Sequence, residues 1–171
     1  MAGRLDGKVC VITGAGGGMG REAAILFSEE GASVCAADMN LAAAEETAGL
    51  CSGEVFAFEA NVAEEADVAA MMTATAERFG GIDLLVNNAA IYGKMEFDLL
   101  ITVDWDYYRR FMSVNMDGAL VCTRACYSHM AARGGGAIVN QSSTAAWLYS
   151  GFYGLAKVGI HGAYEGALKF V

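Results

Sequence analysis

Thr13-Gly14-Ala15-Gly16-Gly17-Gly18-Met19-Gly20 decides how the chain is read. It follows Lys8–Ile12 (KVCVI), a short apolar run that ends in glycines and so reads as a buried strand. It opens Gly18–Glu30, where Met19, Ala23, Ala24 and Phe27 recur at helical spacing before a stop at Gly31. Glycines have physical work in such a place. One permits the tight turn, one lets backbone approach a pyrophosphate, and one lets helix and strand pack closely. Free N–H groups and the dipole at the helix start favour phosphate charge. A glycine-rich loop alone is a weak signal, and its position between a strand and a helix strengthens it.

Outward from this turn, apolar strands alternate with helical segments. Strands are expected at Ser33–Ala37, Glu54–Glu59, Leu84–Asn87 and Gly136–Gln141. Helices are expected at Leu41–Leu50, Glu64–Phe79 and Phe152–Val171, with Trp105–Met130 as one long helix or two broken ones. Five strand–helix alternations predict an α/β fold with a doubly wound parallel sheet. No repeat or linker divides the 171 residues, and no proline marks a boundary, so 1–171 reads as one domain.

Composition excludes some functions. With 55% hydrophobic and 18% charged residues, the chain can bury a core and does not read as disordered. A net charge of −9 repels phosphate backbones and anionic membrane surfaces, so neither nucleic acid nor membrane is an expected partner. Met1–Lys8 is polar and of mixed charge, unlike a secretory segment. Gly134–Ala156 is uncharged, but its Asn140, Gln141, serines and glycines make it a poor membrane span. The five cysteines read as buried thiols of a reducing cytoplasm. Cys122 and Cys126 are four apart and suit core packing. A metal pair there would lack the further His or Cys ligands of a closed site, so no metal is expected.

Several residues suit chemistry. Asp38 closes the second strand, where a carboxylate can accept hydrogen bonds from ribose hydroxyls and repel a 2′-phosphate. The alternative is that Asp38 caps the helix near Leu41. Tyr153 and Lys157 are four apart at helical spacing, which puts them on one face. An ammonium beside a phenol favours the phenolate and suits the tyrosine to general acid–base work. Ser142-Ser143 and Asn87-Asn88-Ala89-Ala90 end strands at the edge where such sheets bind ligands. Asn115, inside a helical stretch, reads singly as a solvated or back-bonding residue. Trp147, Tyr149 and Phe152, in or beside the short loop between Ser143 and Tyr153, fit either core packing or the wall of an apolar pocket.

Taken in order, Thr13-Gly-x-x-x-Gly18-x-Gly20, Asn88-Ala89-Ala90, Asn115, a serine pair and Tyr153-x-x-x-Lys157 resemble the short-chain dehydrogenase/reductase family. The resemblance runs from about Leu5 to about Gly162. It implies an oxidoreductase of the Rossmann type, moving a hydride between nicotinamide and a secondary alcohol or ketone. It implies a pyrophosphate turn of Thr13, Gly14, Gly18, Met19 and Gly20, with Asp38 on the adenosine ribose. Asn61 and Val62 would lie against the adenine, with Asn61 where the family usually has Asp. Asn88 and Ala89 would lie near the nicotinamide ribose, which Lys157 would also bind while assisting Tyr153. Tyr153 would transfer the substrate proton, Ser143 (or Ser142) would hold the substrate oxygen, and Asn115 would anchor a water leading to Lys157. Asp38, with Gly17 offering no basic side chain, favours NAD over NADP. Relatives often form dimers or tetramers through two long helices, here Trp105–Met130 and Phe152–Val171.

The family pattern continues past Val171 with further strands, a Pro-Gly turn and a substrate loop. The resemblance therefore implies a sheet without its C-terminal strands, with Ala137–Gln141 at an apolar edge and Ile160 and Leu168 short of partners. Weak stability and low turnover are then expected. A catalytically silent dinucleotide-binding fragment, or a partner-binding paralogue, is the alternative. The substrate is not legible.

Overall fold

A computed structural model describes residues 3–93, 95–96, 99–148 and 150–168, with side chains up to residue 162. Five parallel strands, β1 (Val9–Thr13), β2 (Ser33–Asp38), β3 (Val55–Glu59), β4 (Leu84–Asn87) and β5 (Ala137–Asn140), stand in the order β3-β2-β1-β4-β5. The helices are α1 (Gly18–Glu29), α2 (Leu41–Leu50), α3 (Glu65–Phe79), α4 (Trp105–Met112), α5 (Gly118–Ala132) and α6 (Gly151–Leu168). This is the doubly wound, Rossmann-type arrangement. The chain runs outward from β1 to β3, then returns to lay β4 on the other side of β1. That reversal makes the switch point at which such sheets bind ligands.

The strands alternate their faces between two apolar layers. Cys10, Ile12, Val34 and Ala36 pack with Ala24 of α1 on one side. Val11, Cys35, Ala37 and Leu85 pack on the other with Val68, Met71 and Met72 of α3 and Cys122, Cys126 and Met130 of α5. β1 is buried along its whole length between two neighbours, which is why it reads as a continuous apolar run. β3 is an edge strand, half-buried from Val55 to Phe58 and exposed at Glu59. Burial pushes the thiols of Cys10, Cys35, Cys122 and Cys126 up to about 12. A third cluster joins Tyr107, Phe111 and Met112 of α4 to Phe152 and Ala156 of α6.

Trp105–Ala132 is one helical run interrupted by a π turn at Ser113–Asp117. The expected helix at Phe152–Val171 starts at Gly151. Its residues 169–171, the Leu168 side chain and Tyr149 lie outside the described residues. β5 is the other edge strand, with Val139 55% exposed. Ile160 departs from expectation. It is only 5% exposed, because it closes a pocket with Val62, Val114 and Asn115. Among the described residues, no helix is long and apolar enough to cross a membrane.

One ion pair ties the sheet's amino end together. Asp83, just before β4, accepts from the Val9 amide at 2.8 Å and from Arg133 at 2.9 and 3.2 Å. Burial opposes its charge. The Val9 amide and the Arg133 guanidinium outweigh that and hold the carboxyl below the usual carboxylate range. A depressed carboxylate stabilises the fold above its unfolded value of about 3.9, and the contribution is lost as pH falls through the lower folded value. Asp83→Ala is expected to cost about 2–4 kcal/mol, because the Val9 amide and Arg133 lose their acceptor. Asp83→Asn, which keeps an acceptor, should cost less. Urea denaturation at pH 7 and pH 3 checks both, and the difference between Asp83→Ala and the parent should shrink at the lower pH.

Candidate active site

At the switch point two side chains lock the glycine turn to β4. Asn88 Nδ2 donates to Thr13 O at 3.0 Å and to Gly14 O at 3.1 Å. Thr13 Oγ1 accepts from the amides of Asn88 (3.1 Å) and Ala89 (3.2 Å) and donates to Val86 O. Gly14 takes φ +66°, and a Cβ there would meet Ala89 Cα at 2.7 Å. A Cβ on Gly20 would overlap Gly14 O and stand 2.6 Å from Asn88 Nδ2. Both glycines are therefore fixed by close backbone approach. At Gly17 and Gly18 a Cβ would enter open space. Gly17 gives α1 no side-chain cap, and no acidic residue occupies its first turn. The amides at the start of α1 thus face open space with no acidic residue in that turn, which fits a pyrophosphate. Met19 is exposed beside it.

Asp38 stands at the end of β2, against the same turn. Its Oδ2 accepts from the Gly16 amide and its Oδ1 from the Asn40 amide, both at 2.9 Å. It does not cap α2, because Asn40 does so by accepting from Ala43 N. Each Asp38 oxygen retains lone-pair capacity for a hydroxyl donor. Beyond β3, Asn61 Oδ1 accepts from Ala63 N, and Val62 is buried. Its Cγ2 lies 2.7 Å from where a Cβ on Gly118 would be.

A second cluster forms at the ends of β4 and β5. Lys157 is 3% exposed, and its Nζ donates to Gln141 O at 2.9 Å, beside the serine pair. Burial pushes its ammonium below the usual lysine range. Tyr153, one turn earlier on α6, has its ring centroid 5.8 Å from Lys157 Nζ. Its ring packs against Phe111 and, at 5.6 Å, against the exposed ring of Tyr92. Ser143 Oγ accepts from Ala145 N, and Ser142 Oγ shares a 2.6 Å hydrogen bond with His161 Nε2. Phe152 packs edge-on to Phe111 and Tyr107, so it belongs to the core, whereas Trp147 is exposed beside His161.

Asn115 sits within the π turn, 1% exposed. Its Oδ1 accepts from Ile91 N at 2.6 Å and its Nδ2 donates to Ile91 O at 3.1 Å. It is neither solvated nor bonded to its own helix, but grips the loop after β4. π turns of this kind frequently mark functional sites. A small pocket joins the two clusters, with Thr13 and Ala89 on one wall and Asn115, Lys157 and Ile160 on the other. Asn61 and Met19 do not line it.

Some contacts escaped the sequence reading. Asn87 Nδ2 reaches Asn140 Oδ1 at 2.8 Å and also Ala119 O, tying β4 to β5 and α5. The repeated Asn87-Asn88 was a signal for it. Tyr92 and Arg21 carried none, since an exposed loop tyrosine and a helical arginine are ordinary.

A family model described as short chain dehydrogenase matches residues 8–168. An uncharacterized oxidoreductase of Mycobacterium tuberculosis is 57% identical over 161 residues, covering 92% of this chain and 65% of that protein. The 2-(R)-hydroxypropyl-CoM dehydrogenase of Xanthobacter autotrophicus is 39% identical, covering 81% of this chain and 57% of that protein. The crystal structure of an NAD+-bound xylitol dehydrogenase superposes with a TM-score of 0.88 at 31% identity, covering 96% of this chain and 65% of that one. The chain therefore spans less than two thirds of the length of these relatives. With the glycine turn, the Tyr153–Lys157 face and this match together, the chain belongs to the short-chain dehydrogenase family.

Proposed function

We propose that this chain, as one domain, carries the nucleotide-binding and proton-transferring residues of an NAD-dependent oxidoreductase acting on a secondary alcohol or ketone. The observation that carries the reading is the buried Lys157 between Tyr153 and Gln141 O, one pocket away from an open glycine turn. In this reading the amides of Gly18, Met19 and Gly20 hold the pyrophosphate. Asp38 receives the adenosine ribose hydroxyls and repels a 2′-phosphate, and Asn61 and Val62 flank the adenine. Thr13, Gly14, Asn88 and Ala89 form the floor toward the nicotinamide ribose. Bound there, the nicotinamide supplies the hydride exchange with the carbinol carbon.

The chain's own chemistry is proton transfer and orientation. Ser143 holds the substrate oxygen, and Tyr153 gives or takes its proton. Lys157 stabilises charge that develops on the Tyr153 oxygen and steadies the ribose. Asn115 fixes Ile91 and itself lines the pocket beside Lys157, where in this reading it anchors a water that leads to Lys157.

Two measurements test this. Titration calorimetry should give micromolar NAD binding that Asp38→Ala weakens about 10–100-fold, the scale of a lost hydrogen bond to a charged group. Absence of NAD binding would overturn the reading. Tyr153→Phe should leave NAD affinity unchanged and lower NAD reduction with a panel of secondary alcohols about 10²–10⁴-fold. A Tyr153→Phe variant with undiminished turnover would remove Tyr153 from its role.

A further inference from the structure

We propose that the ion pair between Arg21 of α1 and Glu46 of α2 helps set the choice between NAD and NADP, an inference that rests on the cofactor reading above. Arg21 bridges three elements. Its Nε donates to Thr47 Oγ1 at 3.1 Å, and its Nη1 and Nη2 fork onto Glu46 at 3.0 and 3.1 Å. The same Nη2 donates to Gly16 O at 2.8 Å. Gly16 also gives its amide to Asp38. One residue of the turn is thus held between a carboxylate on its N–H and a guanidinium on its carbonyl.

This geometry places a cation beside the point where Asp38 is assigned to the adenosine ribose. The cation is not free to act there. A bidentate carboxylate is a strong partner for a guanidinium, and Glu46 already supplies one. Two carboxylates, Asp38 and Glu46, face one arginine at this corner, which opposes a 2′-phosphate. Asp38 disfavours that phosphate directly. Glu46 does so by occupying a guanidinium positioned to answer it. Thr47, fully buried and donating to Ala15 O at 2.8 Å, keeps the arginine in place independently of Glu46. Loss of the glutamate charge therefore frees the guanidinium without releasing it from the turn.

The test is binding, not turnover. Dissociation constants for NAD and NADP are measured by calorimetry, or by competition with NADH fluorescence, for the parent chain, Glu46→Gln, and Glu46→Gln with Arg21→Met. Glu46 is 63% exposed, and Glu46→Gln is nearly isosteric, so folding should be unaffected. Glu46→Gln should tighten NADP about fivefold, the scale of one exposed ion pair, and leave NAD within about twofold. The gain should shrink at high salt and vanish when Arg21→Met is added. An unchanged NAD-to-NADP ratio with normal NAD binding would overturn this inference and leave the cofactor reading intact. An equal weakening of both nucleotides would also overturn it, because it would show that the pair only braces α2. Failure of the parent chain to bind either nucleotide would overturn the cofactor reading itself, and this inference with it.

Discussion

Everything at the carboxyl edge of the sheet depends on the lock between Thr13 and Asn88. β1 and β4 are neighbours in space but far apart in sequence, and the chain leaves both at the same point. The Asn88 amide group joins the two exits by donating to consecutive carbonyls of the glycine turn. The Thr13 hydroxyl accepts from the next two amides after β4. Such a crossed set of bonds leaves little freedom in either loop. It fixes the direction of α1, hence its open first turn, and it fixes the start of the loop that Asn115 then grips at Ile91.

The other half of the site follows from a buried cation. A lysine at 3% exposure is disfavoured unless something holds it. Gln141 O does so from the end of β5, which also sets α6 against the serine loop. Gly154, between Tyr153 and Lys157, permits that approach, because a Cβ there would stand 2.7 Å from Ala145 O. The π turn performs the matching task on the opposite wall. Each of these meetings has a local cause.

Much of this was legible beforehand, for physical reasons. Strands buried on both faces announce themselves as apolar runs, and the turn between β1 and α1 needs glycines that few other structures need together. Tyr153 and Lys157 were readable because helical spacing alone puts residues four apart on one face. What was not legible depended on neighbours distant in sequence. Asp38 could be read as the cap of α2 until Asn40 was found in that place. Asn115 looked like a residue of a regular helix, and only the π turn explains how it turns inward. Phe152 became a core residue once α4 was placed beside it. Ile160, expected to lack partners, finds them in residues distant in sequence such as Val62 and Val114.

The buried thiols have a practical consequence. Four of the five cysteines lie inside the two apolar layers, with burial disfavouring the thiolate, while Cys51 is partly accessible at the end of α2. Alkylating reagents attack thiolates, so in the folded chain Cys51 is the thiol they meet first. The remaining four become reactive when the sheet opens. The molecule thus carries its own clock for global opening, distributed over β1, β2 and α5, without any added label.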